Sequence, residues 1–290
     1  MIARRGSVLA IAILTLSVTA CGAQPGAPAP SGQLSTGMRQ AALPDRARRD
    51  RTLIVATSTP YAPNEFIDDT GQPAGFDIDV ITAIGKALDV RIDVRDVPFA
   101  DLVPGVARGD YDIATRSLFD TVAREASVDM VTYFSAGTLW AQRAGGSVDP
   151  NLPCGHTVAA QVATVQFDAE LTAKNLACTN AGRPAMTVVA FGSQADAIAA
   201  LTRGDVDAVS ADSPVTSYSV RQSGGRLAAA GAAFDTEPYG MAVAKGSPLG
   251  PLLQQRIQVL IDSGGLAAIA DRWGVGQGAV QHSTINGATG

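Results

Sequence analysis

The chain of 290 residues is 46% hydrophobic and 17% charged, the composition of a globular protein long enough for two domains with their own cores. Its formal net charge is −5, and removal of a leader carrying Arg4 and Arg5 would leave the remainder more acidic still. This balance, with no basic patch interleaved with aromatic residues, argues against nucleic acid as a partner.

Residues 1–21 have the pattern of a secretory signal peptide: two arginines, an apolar run too short to span a bilayer, and small residues. The run ends in V-T-A-C, which resembles the bacterial lipobox. Cys21 is therefore predicted to be the lipidated first residue of the mature protein. A plain signal peptide with a chance cysteine is the alternative. The arginine pair could also belong to a twin-arginine signal, although the flanking residues favour ordinary secretion.

Residues 22–51 are rich in Gly, Pro, Ala, Ser and Gln and have no periodicity. This composition predicts a flexible tether between a membrane anchor and a folded body. Four arginines near its end either contact anionic lipid headgroups or form a solvated basic edge: Arg46, Arg48, Arg49 and Arg51.

The folded body begins with a buried strand predicted at residues 53–57, followed by an aromatic turn at residues 58–66. Residues 75–88 (GFDIDVITAIGKAL) predict a helix, because apolar side chains recur every three or four residues. A strand predicted at residues 91–97 follows, and Phe99 comes just after it.

One helix, turn and strand pattern occurs twice, as R-G-D-Y-D-I at residues 108–113 and as R-G-D-V-D-A at residues 203–208. Each glycine fits the left-handed cap that ends a helix. In the first copy, residues 111–115 predict a strand, residues 117–120 a turn, and Thr121 the N-cap of a new helix. The repetition predicts two similar lobes, and it makes the Arg-Gly-Asp triplets structural rather than adhesive.

Arg124 lies beyond the strand of the first copy, and Asp212 lies at the end of the strand of the second. In open α/β sheets, ligands bind outside the carboxyl ends of the strands. If the lobes face each other, a cation and an anion meet across one cleft. Such a pair suits a zwitterion such as an amino acid.

The remaining pattern predicts a second lobe and a return to the first. Its elements are a crossover strand at 133–142, a strand at 156–160 with a turn at 161–166, a strand at 187–191, a helix at 193–202, a returning strand at 239–243, and helices at 249–261 and 266–273. Residues 276–290 are predicted to be a disordered tail.

In order and spacing, these motifs resemble the amino-acid-binding proteins of polar amino-acid ABC importers, solute-binding protein family 3. G-F-D-I-D, R-G-D-Y-D-I and the T-x-x-R turn that ends at Arg124 carry the resemblance, which covers residues 52–274. It implies an α/β, periplasmic-binding-protein-like fold: two α/β lobes joined by two crossover strands, with a ligand cleft between them. Lobe 1 would comprise residues 52–139 and 240–275, and lobe 2 residues 140–239.

The resemblance implies that both lobes contribute ligand-binding residues: Ser58, Tyr61, Phe99, Ser117, Phe119, Arg124, Gln161, Thr164 and Asp212. Arg124 would clamp the α-carboxylate of the ligand with its planar guanidinium. The alternative is a surface arginine paired with Glu125 or Asp120. Asp212 would bind the α-ammonium group, and it is also a good helix N-cap.

Tyr61 and Phe99 match the aromatic walls that sandwich the ligand in the family, although aromatic residues are more often part of a core. Phe119 departs from the family, which usually has a small hydroxyl residue there. We expect it to form a third aromatic wall and to make the pocket narrower or more apolar.

In lobe 2 the usual Gly-Thr or Gly-Ser pair is Ala163-Thr164, which puts the standard hydrogen bonds in doubt. Relatives selective for charged or amide side chains often carry an acid where this chain has Ser58, so one anchor for a basic side chain is missing. Gln161 offers a neutral amide instead. The pocket is therefore expected to prefer glutamine or glutamate to lysine or arginine.

Cys154 and Cys178 remain once Cys21 is lipidated, and in an exported protein this pair predicts a disulfide within lobe 2. Two free buried thiols are the alternative. His156 and His282 lie far apart in sequence, so no metal site and no catalytic residue is predicted. No cofactor is predicted either.

The leading hypothesis is a lipid-anchored binding protein, exported to the extracytoplasmic side of the cell membrane. It would be a monomer that captures a free amino acid and delivers it to an ABC permease and its ATPase. A dehydratase-like enzyme on the same scaffold is one alternative, but Asp212 is the only acid placed in the pocket and already binds the ammonium. A ligand sensor for a partner receptor is the other, and the sequence does not separate it from transport.

Overall fold

The computed structural model describes residues 41–288, so the predicted signal peptide, Cys21 and most of the tether lie outside the described residues. The strands are β1 (Thr52–Thr57), β2 (Phe66–Ile67), β3 (Pro73–Ala74), β4 (Arg91–Asp96), β5 (Ile113–Phe119), β6 (Val128–Arg143), β7 (Thr157–Gln161), β8 (Thr187–Phe191), β9 (Ala208–Asp212) and β10 (Leu227–Ala244). The helices are α1 (Asp45–Asp50), α2 (Phe76–Leu88), α3 (Leu102–Arg108), α4 (Val122–Glu125), α5 (Leu171–Asn180), α6 (Gln194–Arg203), α7 (Ser213–Gln222), α8 (Leu249–Asp262) and α9 (Gly265–Arg272), with single turns of 3₁₀ helix at Phe99–Asp101 and Gly276–Gly278 and of π-helix at Gln166–Glu170. None of these helices is long and apolar enough to cross a membrane.

A mixed sheet with the order β4-β1-β5-β10-β6-β9-β7-β8 runs through the described chain. On one side β1 pairs parallel with β4 and β5, and on the other β7 pairs parallel with β8 and β9. Between them, the long strands β6 and β10 pair antiparallel with each other. β10 also pairs with β5, and β6 with β9. The two long strands therefore belong to both halves, which confirms the predicted architecture of two α/β lobes joined by two crossover strands.

The strands of lobe 2 are apolar in consecutive positions because helices cover both of their faces. Val158 and Ala160 pack into one hydrophobic cluster with Leu171 of α5, and Ala159 packs into another with Leu201 of α6. Successive side chains of a strand point to opposite faces, so helices on both faces require an unbroken apolar run. In the first of these clusters a disulfide joins Cys154 to Cys178, which ties the loop before β7 to α5.

The repeated R-G-D motif forms the same structure in both lobes. Gly109 and Gly204 end α3 and α6 in the left-handed conformation, with φ of 79° and 90°. In each copy the arginine pairs with the first aspartate at the surface, at 2.8 Å. The second aspartate, Asp112 or Asp207, accepts a backbone N–H near the start of the neighbouring strand, from Ile54 at 2.8 Å or from Thr157 at 2.9 Å. The motif therefore ends a helix and aligns two strands.

The structure differs from the sequence prediction where the first copy ends. Residues 117–120 were expected to form a turn, but β5 continues to Phe119 because Leu118 and Phe119 pair with β10. The bend is confined to Ser117, whose φ is 48°. Thr121 is the N-cap of α4 as predicted, and its side chain accepts a hydrogen bond from Arg124 N at 3.3 Å.

Both ends of the described chain are more ordered than their composition suggested. Residues 45–50 of the expected tether form α1, which buries Ala47 completely. Arg46 forms an ion pair with Asp112 at 3.1 Å rather than a free basic edge. Residues 276–288 of the expected disordered tail lie along β6, where Thr132 N donates to Thr284 O at 2.9 Å. Low hydrophobicity did not prevent order there, because backbone hydrogen bonds to a strand hold the segment.

Candidate functional site

The residues predicted to bind the ligand meet where the two lobes face each other. Ser58 follows β1 and Arg124 follows β5 on one side, while Gln161 and Asp212 end β7 and β9 on the other. These are the carboxyl ends of parallel strands, as expected for an α/β ligand site. All the predicted ligand residues except Arg124 are at most 7% exposed: Ser58, Tyr61, Phe99, Ser117, Phe119, Gln161, Thr164 and Asp212.

Two side chains hold the carboxylate of Asp212. Gln166 Nε2 donates to Oδ1 and the Tyr239 hydroxyl donates to Oδ2, both at 2.8 Å. Burial raises the pKa of Asp212, and these hydrogen bonds oppose the rise because they favour the ionised form. Asp212 occupies the N-cap position of α7, but its side chain makes no capping hydrogen bond there. The carboxylate is therefore directed at the cleft.

The guanidinium of Arg124 reaches from one lobe to the other. Its Nη1 donates to Phe119 O at 2.8 Å in lobe 1, and its Nη2 donates to Ala163 O at 3.5 Å in lobe 2. Burial lowers the pKa of Arg124 to about 10, and the nearby charge of Asp212 acts in the opposite direction. The suggested surface partners each accept a backbone N–H of the C-terminal segment, Asp120 from Gly287 and Glu125 from Ala288.

Arg116, a residue that the sequence prediction did not assign, lies in the middle of the site. Its guanidinium carbon is 3.3 Å from the centre of the Tyr61 ring and 4.4 Å from the centre of the Phe99 ring. Its Nη2 donates to Gln161 Oε1 at 2.6 Å, and its Nε donates to Ser58 O at 3.4 Å. The two predicted aromatic walls therefore enclose a side chain of the protein itself, which also contacts lobe 2.

A signal for Arg116 was present in the sequence of β5, I-A-T-R-S-L-F, where one charged residue interrupts an apolar strand. Every residue of β5 is buried, and Arg116 itself is only 2% exposed. A buried charge needs partners. The acid within ion-pair distance is Glu65, whose Oε1 lies 3.5 Å from Arg116 Nε.

Beneath Arg116, Asp77 of the G-F-D-I-D motif holds the bend in β5. Its Oδ2 accepts the backbone N–H of Ser117 at 2.6 Å and the Ser117 hydroxyl at 3.2 Å, and the Tyr133 hydroxyl donates to its Oδ1 at 2.7 Å. Asn64 Nδ2 in turn donates to Ser117 Oγ at 2.6 Å. Burial raises the pKa of Asp77, and burial together with Asp77 raises the pKa of Glu65 well above its ordinary value. The proximity of these two buried carboxyl groups disfavours ionisation of both at once.

The other predicted residues contribute in ways that the sequence did not indicate. Phe119 packs on Tyr239 with ring centres 4.9 Å apart, so it supports the tyrosine that holds Asp212, and its expected role as a third aromatic wall stays a prediction. Thr164 Oγ1 donates to Gln161 O at 2.7 Å and accepts Phe167 N at 3.2 Å, which fixes the turn after β7. In that turn Ala163 has a φ of 62°.

Within residues 41–288, no group of three or more His, Cys, Asp or Glu side chains is placed to hold a metal ion. His156 lies 3.5 Å from Asp207, on the β7 side of lobe 2 and away from the residues that surround Arg116. The described part of the cleft consists of aromatic, amide and paired charged groups, which suit the binding of a small polar molecule.

The chain is similar in sequence and structure to known binding proteins. A model of bacterial extracellular solute-binding proteins, family 3, matches residues 53–276. An arginine-binding protein of Corynebacterium glutamicum is 29% identical over 249 residues, which are 85% of this chain and 82% of that protein. A glutamine-binding protein of a Bacillus subtilis ABC transporter is 26% identical over 211 residues, 70% of this chain and 74% of that protein. The solved structure of an ancestral arginine-binding protein bound to arginine has a TM-score of 0.70 at 29% identity, and the match covers 77% of this chain and 98% of that chain.

These relatives are binding proteins rather than enzymes, and the family match covers both lobes, the crossover strands and the two terminal helices. The fold agrees, since the site lies between lobes at the carboxyl ends of their strands. This chain belongs to the bacterial extracellular solute-binding proteins, family 3.

Proposed function

We propose that this protein captures a free amino acid between its two lobes and delivers it to the permease and ATPase of an ABC importer. The observation that carries the proposal is the pair formed by Arg124 and Asp212, which approach the cleft from different lobes with opposite charges. An α-amino acid carries a carboxylate and an ammonium group on one carbon. Only such a zwitterion satisfies both residues at once.

Arg124 now donates to two neutral carbonyl oxygens, those of Phe119 and Ala163. A ligand carboxylate would replace these neutral acceptors with an opposite charge that can accept two parallel hydrogen bonds from the guanidinium. Because the ammonium would be held by Asp212 of the other lobe, the ligand would gain more from a closed cleft than from an open one. This difference is what a ligand needs to shift a conformational equilibrium.

Glutamine or glutamate is the proposed ligand, since Ser58 offers no acid to a basic side chain. The protein is further proposed to be an exported monomer that is anchored through a lipid on Cys21 and faces the extracytoplasmic side of the cell membrane. Replacing Cys21 with Ala should release the protein into the culture fluid or the wash fraction. Retention of this variant on the membrane would contradict the anchor.

Calorimetric titration with each of the twenty amino acids tests the capture of an amino acid. We expect Arg124→Ala to weaken every amino acid alike, since the α-carboxylate is common to all. Two charged hydrogen bonds of about 1.5 to 3 kcal/mol each correspond to a loss of roughly 100-fold or more. Arg108→Ala, at an exposed arginine paired with Asp110, is the matched control and should leave the affinity unchanged. Binding of the best ligand by Arg124→Ala within threefold of wild type would overturn the clamp.

A further inference from the structure

The space between Tyr61 and Phe99 is a guanidinium site. Two aromatic faces cover the plane of the group, and the Gln161 amide oxygen, the Ser58 carbonyl and the Glu65 carboxyl lie around its edge. Flat aromatic faces and acceptors in one plane are what a guanidinium requires. The side chain of Arg116 occupies this site.

The position of Arg116 in the sheet holds its side chain in this site. It belongs to β5, between β1 and β10 in the centre of the sheet, and its backbone precedes the bend that Asp77 holds at Ser117. Its side chain is only 2% exposed. A second guanidinium or an ammonium brought by a ligand would meet both a filled site and a like charge, which is strongly unfavourable in a desolvated cleft.

We propose that Arg116 fills the guanidinium subsite of this cleft from within the chain, so that the protein rejects arginine and lysine and binds an amino acid whose side chain presents an oxygen acceptor to Arg116. The inference rests on the proposed capture of an amino acid, and it names the residue that selects the ligand class. Among the described residues, the hydrogen bonds of Arg116 use Nε and Nη2, which leaves Nη1 for the ligand. A carboxylate or carboxamide at the end of a short side chain has the required acceptor.

Removing Arg116 tests this selection, because the variant should gain affinity for arginine as well as lose affinity for its former ligand. In Arg116→Ser the two rings, Gln161 and Glu65 remain, so the vacated site should accept the guanidinium of a free arginine. We expect wild type to bind the best of aspartate, asparagine, glutamate and glutamine at least roughly 100-fold more tightly than arginine. Arg116→Ser should bind arginine at least about 10-fold more tightly than wild type does, and the former best ligand at least about 10-fold more weakly.

Arg116→Lys keeps the charge without the planar fork and should continue to reject arginine. Arg108→Ser makes the same change at an exposed arginine and should alter neither affinity. Calorimetry gives the affinities, and thermal unfolding shows whether each variant folds. If Arg116→Ser does not fold, the ligand rankings of wild type and Arg116→Lys test the role of Arg116, because both proteins should reject arginine.

These measurements separate failure of the proposed function from failure of the role proposed for Arg116. If wild type binds none of the twenty amino acids, the proposed function itself is wrong. If wild type binds arginine as tightly as any acidic or amide amino acid, or if Arg116→Ser keeps the wild-type ranking, amino-acid capture stands and the role of Arg116 is overturned.

Discussion

Replacing Tyr239 with Phe removes one of the hydrogen bonds that keep Asp212 ionised in the cleft. The Tyr239 hydroxyl donates to Asp212 Oδ2 at 2.8 Å, and both residues are buried. The ring should stay in place, because Phe119 packs against it. The change is therefore close to a pure deletion of one donor.

The size of the effect follows from the charge on the acceptor. A hydrogen bond to a charged group is worth about 1.5 to 3 kcal/mol, and one pKa unit corresponds to about 1.36 kcal/mol. The pKa of Asp212, already raised by burial, should therefore rise further in Tyr239→Phe. Since the ligand ammonium needs the ionised carboxylate, affinity is present above this pKa and is lost as the pH falls through it. The variant should therefore lose its affinity at a higher pH than wild type does.

The assay is a calorimetric titration of the best ligand from about pH 4 to pH 8, with the logarithm of the dissociation constant plotted against pH. Tyr133→Phe is the matched control, because the Tyr133 hydroxyl donates to Asp77 at 2.7 Å beneath the cleft rather than to Asp212. It should lower stability without moving the midpoint of binding. The reasoning is refuted if the midpoint of Tyr239→Phe stays where it is in wild type, or if Tyr133→Phe moves it equally.

Three further predictions concern stability. Ala163 has a φ of 62°, so Ala163→Gly should stabilise the protein by about 0.5 to 1 kcal/mol and raise the melting temperature by roughly 1 to 3 °C. The control Ala199→Gly, inside α6, should destabilise the protein by about 1 kcal/mol. Equal losses of stability in both variants would contradict backbone strain at Ala163. Replacing Cys154 and Cys178 with Ala opens a loop closed over a sequence separation of 24 and should cost about 3 kcal/mol in urea unfolding; an unchanged urea midpoint would contradict this. Burial raises the pKa of Asp120 to about 7, so wild type should lose stability as the pH rises from about 4 to about 7. Asp120→Asn should lack that loss, and a stability difference between pH 5 and pH 8 as large as in wild type would exclude it.

Several local features could be predicted because a few neighbouring residues decide them. The glycine of each R-G-D motif ends its helix in the left-handed conformation, and Thr121 caps α4. Charge placement was also accessible, because Arg124 lies beyond the strand of one R-G-D copy and Asp212 ends the strand of the other. The two-lobed fold and the general position of the cleft therefore followed from pattern and resemblance.

The features that the sequence did not predict depend on partners that lie far away along the chain. The bend at Ser117 lies inside a strand because β10, more than a hundred residues later, supplies partners for Leu118 and Phe119. The segment after α9 is ordered because Thr132 and its neighbours on β6 accept it as a further paired stretch. Neither partner is visible from local composition.

The amino-acid sequence by itself determined the helix ends and strands of the two R-G-D copies, the N-cap at Thr121 and the opposite charges of Arg124 and Asp212 at strand ends, because each depends on periodicity or on a few adjacent residues. Only the tertiary structure decided what those charges face and what fills the space between them. Arg116 shows the reason, since its guanidinium lies between Tyr61 and Phe99 and binds Gln161, partners that come from different elements and from both lobes. The position of a buried charge is set by the partners that the fold brings to it, and those partners are distant along the chain.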